Sequence, residues 1–203
     1  MNTINKQNQI MDIAEDLFCQ YGSKDTTVRL ITHKAGINTA MLNYYFKSKE
    51  NLFLMVINRR IKEFKTIKKG LKLQDKIITM QFLSYTEMYI ELIASHLPFY
   101  RLMMTEKLLN ENKNAVCKIN NFFSSNIKTL KDIIEKGKQE NKIEVCDIET
   151  ILMNVSGVLV YAILKSDDIL FPLNDSNKIK LQQHITTVLK SFIIEKKPEL
   201  ISK

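Results

Sequence analysis

Thr26–Phe53 reads TTVRLITHKAGINTAMLNYYFKSKENLF, and the reading of this stretch decides how the rest of the chain is understood. Thr26 or Thr27 is placed to cap a short helix through Val28, Ile31 and Ala35, because a threonine hydroxyl accepts one of the amides that a helix start leaves unpaired. Gly36 ends that helix, glycine being the residue best suited to a left-handed position just past a helix. Asn38 caps a second short helix that contains Leu42 and ends near Phe46. Two short helices joined by Ala35-Gly36-Ile37-Asn38, with Ile31, Ala35, Ile37 and Leu42 wedged between them, make a helix-turn-helix. Such a motif projects the first side chains of its second helix into a DNA major groove.

Upstream, Ile10, Ile13, Ala14, Leu17, Phe18 and Tyr21 recur at helical spacing and predict a first amphipathic helix that stops at Gly22. Downstream, Ser48 is expected to cap a long fourth helix carrying Leu52, Val56 and Phe64. Past Gly70, Ile78, Phe82, Tyr85, Tyr89, Leu92 and His96 form another stripe, which Pro98 interrupts. Further helices are predicted over residues 98–109, 115–138, 148–165 and 177–196. No alternating strand pattern and no internal repeat stands out, so the expected class is all-α.

Composition narrows the function classes. Of 203 residues, 45% are hydrophobic and only five are glycine and three proline, which suits a helical globular protein better than a turn-rich β fold. The start, MNTINKQNQI, lacks the pattern of a signal peptide. The most apolar run, Ile151 to Leu164, is interrupted by Asn154, Ser156 and Gly157 and is short for a bilayer. A cytoplasmic protein without a membrane partner is expected. Cys19, Cys117 and Cys146 are odd in number and form no CxxC pair, against both a disulfide framework and a zinc site. His33, His96 and His184 are isolated, and no nucleophile motif, HExxH or phosphate loop occurs. The expectation is therefore no enzyme, no cofactor and no metal.

The formal net charge is +8, unevenly spread. Residues 59–76 hold eight lysines and arginines against only Glu63 and Asp75. A polyanionic partner suits such an excess, yet cations also favour the C-terminal end of a helix, and that reading is preferred for this segment. Lys49 is different, because a lysine in the first turn of a helix opposes the dipole. The same helix start offers free N–H groups to an anion. A DNA phosphate lying there resolves both.

The ordered series Ala14…Leu17-Phe18…Gly22, Ala35-Gly36-Ile37, Leu42…Phe46 and Ser48-Lys49-Glu50…Leu52 strongly resembles the TetR family of bacterial regulators. The Asn-Tyr-Tyr-Phe of residues 43–46 looks like a subgroup variant, with Asn43 where many members have tyrosine, and Thr32 replaces a usual alanine. The resemblance implies an N-terminal three-helix DNA-binding domain at residues 1–48 and a larger helical ligand-binding and dimerisation domain at 49–203. It also implies that Thr39, Ala40 and Met41 face bases and that Arg29 reaches a base or a phosphate, while Thr27, Tyr44, Tyr45 and Lys49 face phosphates. The chemistry agrees, since arginine reads guanine bidentately and small methyl groups meet thymine. Tyr44 or Tyr45 has the alternative of packing into the small domain's core.

The expected partners are a palindromic double-stranded operator, a second copy of the chain and a small hydrophobic ligand that releases a repressor from DNA. The ligand would lie among Tyr85, Tyr89, His96, Phe99, Met103 and Phe123, residues that can equally fill a solid core. Met153, Gly157, Val160 and Leu164 of the penultimate helix, with Leu189 and Phe192 of the last, are expected at the dimer interface. The long fourth helix is expected to join the DNA and ligand sites. Two other classes compete: a nonspecific DNA binder, and a helical ligand-binding or adaptor protein that no longer engages DNA.

Overall fold

The computed structural model describes residues 3–165 and 172–196. It is all-α apart from one small strand pair, with nine helices among the described residues. Two compact units emerge: one takes the chain up to Lys65 together with His96–Phe122, the other takes Thr66–Ser95 and the chain from Phe123 onward.

The first unit begins with α1 (Thr3–Asp25), α2 (Val28–Ala35), α3 (Thr39–Phe46) and the larger part of α4 (Lys49–Gly70). It is completed by α6 (Leu97–Leu109) and the start of α7 (Lys113–Gln139). Ile10, Ala14, Leu17 and Phe18 of α1 are buried as their spacing requires, and the Phe18 and Phe53 rings meet edge to face at 4.9 Å. Gly22 takes φ 81, ψ 164 and breaks α1, after which one more turn carries the chain to Asp25. Pro98 stands in the first turn of α6, where its missing N–H costs nothing.

One polar cluster binds α1 to α4. Glu15 is 6% exposed, and its carboxylate accepts from Arg59 at 2.7 Å and from Arg60 at 2.6–2.7 Å. Asp12 adds a second contact to Arg59, and Glu63 a second to Arg60. Cys19 is half-buried nearby, and burial, aided by Glu15 and Asp16, pushes its thiol up to about 12. It therefore stays protonated and unreactive.

The second unit contains α5 (Ile78–Ser95), the rest of α7, β1 (Ile143–Val145), α8 (Ile148–Lys165), α9 (Asp175–Phe192) and β2 (Ile193–Glu195). Residues 193–196 do not continue the last helix: Ile193–Glu195 pairs antiparallel with Ile143–Val145, in the register Val145↔Ile193 and Ile143↔Glu195. The β-branched Ile193, Ile194, Ile143 and Val145 fit a pleated, half-buried surface better than a helix end. Glu195 then caps α5, its Oε1 accepting from the Thr79 amide at 2.9 Å and the Thr79 hydroxyl at 2.8 Å. Gly137 lets α7 pass close to this corner, since a Cβ there would lie 2.7 Å from Ile78 and 2.9 Å from Ile143.

Helix α8 is long and apolar enough, by length and composition, to cross a membrane. That exceeds what its interrupted apolar run suggested. Leu152, Val155, Leu159 and Ile163 are nevertheless buried, and α8 packs on α9, where Leu181, Ile185 and Leu189 are buried too.

Glu15 should dominate the stability of the first unit. Removing the buried partner leaves Arg59 and Arg60 only their more exposed partners Asp12 and Glu63, whereas an exposed ion pair contributes below about 1 kcal/mol. Urea denaturation is expected to show Glu15→Gln losing roughly 2 kcal/mol and Asp12→Asn losing less than about 1 kcal/mol.

Candidate DNA-binding site

Each turn around α3 is fixed by a side chain of its own. Thr27 is the N-cap of α2, its hydroxyl accepting from the Leu30 amide at 3.1 Å. Thr26 is buried instead, its hydroxyl on the carbonyls of Gly22 at 2.7 Å and Leu17 at 3.1 Å. Gly36 closes α2 at φ 61, and Asn38 caps α3 by accepting from the Met41 amide at 2.8 Å. At the far end Asn51 donates to the Phe46 carbonyl at 2.8 Å, while Ser48 accepts the Asn51 amide at 3.1 Å.

These caps fix the rotation of α3. Leu42 and Phe46 are fully buried against the rest of the first unit. Thr39, Ala40, Met41, Asn43 and Tyr44 are exposed, Tyr44 at 72%. Tyr45 is half-buried with its ring 5.2 Å from that of Tyr44, so of the two tyrosines it is the one that also packs. Arg29 and Thr27 are exposed at the start of α2, and His33 and Lys34 are exposed at its end. The helix thus presents a short face of small, apolar and hydroxyl-bearing groups, flanked by cations.

Lys49 stands differently from its expected place. It is half-buried, and its ammonium donates to the carbonyls of Ser23 at 2.7 Å and Lys24 at 3.1 Å. Two of its three hydrogens therefore cap the end of α1, where a cation is favoured. The start of α4 is also partly satisfied internally. The Glu50 backbone amide and the Ser48 hydroxyl hold the Glu50 carboxyl below the usual range. The oddity of a lysine at this helix start is thus accounted for within the chain. No local pattern announces it, because Ser23 and Lys49 are 26 residues apart. Lys47 is the exposed cation in the turn after α3, held at φ 68.

The six residues expected around a ligand fall in both units. Phe99 and Met103 are buried in the first unit, and Tyr85 and Tyr89 are buried in the second. Phe123 is half-buried and belongs to the second unit. His96 belongs to the first, at the N-cap position of α6, with Nε2 at 3.2 Å from Arg60 and 3.5 Å from Glu63. It joins the Glu15 cluster rather than an apolar lining. Of the residues expected between two copies, Met153 (69% exposed), Val160 (37%), Leu164 (44%) and Gly157 lie open along α8. Phe192 is half-buried, and Leu189 at 1% exposure fills its own chain's core because α9 turns that stripe inward onto α8.

Comparison with known proteins fits this geometry. Over 119 residues the chain is 28% identical to the HTH-type transcriptional regulator QacR of Staphylococcus aureus, covering 56% of this chain and 63% of that protein. It is 31% identical over 103 residues to the HTH-type transcriptional regulator BetI of Brucella melitensis, covering 47% of this chain and 52% of that one. These alignments span between half and two thirds of the relatives' lengths. A Saccharomonospora viridis protein solved in complex with choline shares the fold, with TM-score 0.76 at 16% identity over 96% of this chain and all of that one. Residues 10–56, with the caps and α3 included, match the family described as bacterial regulatory proteins, tetR family.

Proposed function

We propose that the chain is a homodimeric transcriptional regulator of the cytoplasm, a repressor that a small ligand releases from a palindromic operator. The observation that carries this reading is the exposed face of α3, with Thr39, Ala40, Met41 and Tyr44 outward over buried Leu42 and Phe46. A face held by caps at both ends is preorganised, so little ordering is left to be done when DNA arrives. Thr39, Ala40 and Met41, with Arg29, read base edges. Thr27, Tyr44, Tyr45 and Lys47 hold phosphates, which position without specifying. Lys49 acts chiefly by fixing the start of α4 against α1.

Dimerisation rests on α8. Met153, Gly157, Val160 and Leu164 recur every three to four residues, form one apolar stripe and are open in the single chain. A two-fold axis along that stripe would relate two recognition helices, which makes the operator an imperfect palindrome. Release by a ligand requires that the ligand bind the DNA-competent and released states with different affinity. That a protein of this fold was solved with a small molecule bound is consistent with such a role.

On a verified operator, Met41→Ala is expected to change base preference. Lys47→Ala should weaken all sequences alike and reduce the salt slope by about one phosphate's worth. Lys49→Ala should lower the melting temperature with the slope kept. A reduced slope at unchanged melting would return Lys49 to the phosphate instead.

Val160→Asp puts a charge in the middle of the α8 stripe. Sedimentation at micromolar concentration is expected to give a dimer for the natural chain and a monomer for the variant. A natural chain that sediments as a monomer refutes the assembly.

A further inference from the structure

The second unit holds a buried polar cluster that DNA binding and dimerisation leave unused. Asn126 on α7 is 3% exposed, and its Oδ1 accepts the hydroxyl of the fully buried Tyr85 on α5 at 3.0 Å. One turn further along α7, Thr129 accepts from Lys68 Nζ at 2.6 Å. The same ammonium stands 5.3 Å from the centre of the Tyr85 ring. Burial pushes the Tyr85 hydroxyl up to about 12, so it remains a neutral donor. The other end of the Asn126 amide is different: Nδ2 has no hydrogen-bond partner among the described residues. An amide nitrogen carries two donors, and protein interiors seldom leave such a group unpaired because its desolvation is uncompensated.

We propose that Asn126, Tyr85, Thr129 and Lys68 form the polar anchor for a small monocarboxylate with an apolar body, one carboxylate oxygen accepting from Asn126 Nδ2 and its charge lying beside the Lys68 ammonium. An acceptor is what the orphaned N–H groups require. A charged acceptor gains more than a neutral one, because charge-assisted hydrogen bonds are the stronger kind. The surroundings favour an apolar body. Phe82 on α5 and Leu130 on α7 are buried, and Phe123 lies one turn before Asn126 on the same helix face. This inference rests on the ligand-responsive reading and names the ligand's class. It replaces a purely hydrophobic ligand with an amphipathic anion. Lys68 belongs to the last turn of α4, so a ligand held there touches the helix that begins at Lys49.

Calorimetry on the full chain with octanoate and benzoate tests it, with octanol and octylamine as controls. Saturable binding of at least one acid is expected, and of neither control. Asn126→Leu and Lys68→Met are each expected to weaken binding tenfold or more while helicity by circular dichroism is kept. Lys68→Met changes only a half-buried side chain, so it decides the matter should Asn126→Leu fail to fold. The anchor is overturned by no saturable binding of either acid, by equal binding of octanol and octanoate, or by unchanged affinity in the folded variants. A crystal structure with a water on Asn126 Nδ2 and the acid bound elsewhere overturns it too. DNA binding is measured in parallel. An acid that binds as described yet leaves DNA affinity constant upholds the anchor and refutes release by ligand. Intact DNA binding with no acid bound refutes the anchor alone.

Discussion

A helix that ends inside a folded unit leaves carbonyls without donors, and the end of α1 is where this chain meets that constraint. Two side chains answer it. The Thr26 hydroxyl takes the Gly22 and Leu17 carbonyls, and the Lys49 ammonium takes those of Ser23 and Lys24. The first fixes how the chain enters α2, and the second fixes where α4 begins. Helix α3 lies between these two points. Its orientation follows from how α1 is finished, with Glu15 clamping Arg59 and Arg60 further along the same pair of helices.

That clamp changes the meaning of the basic segment. Eight cations within residues 59–76 look from the sequence like either a solvated helix end or an electrostatic footprint for DNA. Arg59 and Arg60 are paired with Asp12, Glu15 and Glu63. A charge already paired within the chain adds little to the field felt by a distant polyanion. Arg29 and Lys34 of α2 and Lys47 just after α3 are exposed.

Much of the N-terminal fold was legible because its signals are local. Thr27, Gly36, Asn38 and Ser48 each act within three or four residues of their own position, and each stands where the spacing placed it. The exposed face of α3 follows once Leu42 and Phe46 are assigned inward. What escaped depends on distant partners. Lys49 finds its carbonyls 25 and 26 residues back, and Glu195 caps a helix 116 residues away. Ile193–Glu195 becomes a strand only because Ile143–Val145 is there to pair with it. Leu189 reads as one more residue of an apolar stripe, and only packing against its own chain shows which side of that stripe is already used.

Gly157 carries the opposite lesson. A glycine in the interior of a helix costs about 1 kcal/mol relative to alanine, so its retention calls for a steric reason. Its own chain offers none: a Cβ added there meets nothing within 4 Å. In contrast, Gly137 is required by Ile78 and Ile143. The open glycine sits between exposed Met153 and Val160, on a chain whose unpartnered apolar side chains would otherwise favour aggregation. The proposed second copy approaching along α8 would account for both features. It would cover the stripe, and the missing Cβ would let two helix backbones come close. Under a two-fold axis a residue on that axis meets itself, so a single small residue opens space on both sides of the contact. In the proposed dimer the glycine's cost in one chain would be offset only in the pair, which would tie the stability of α8 to that assembly.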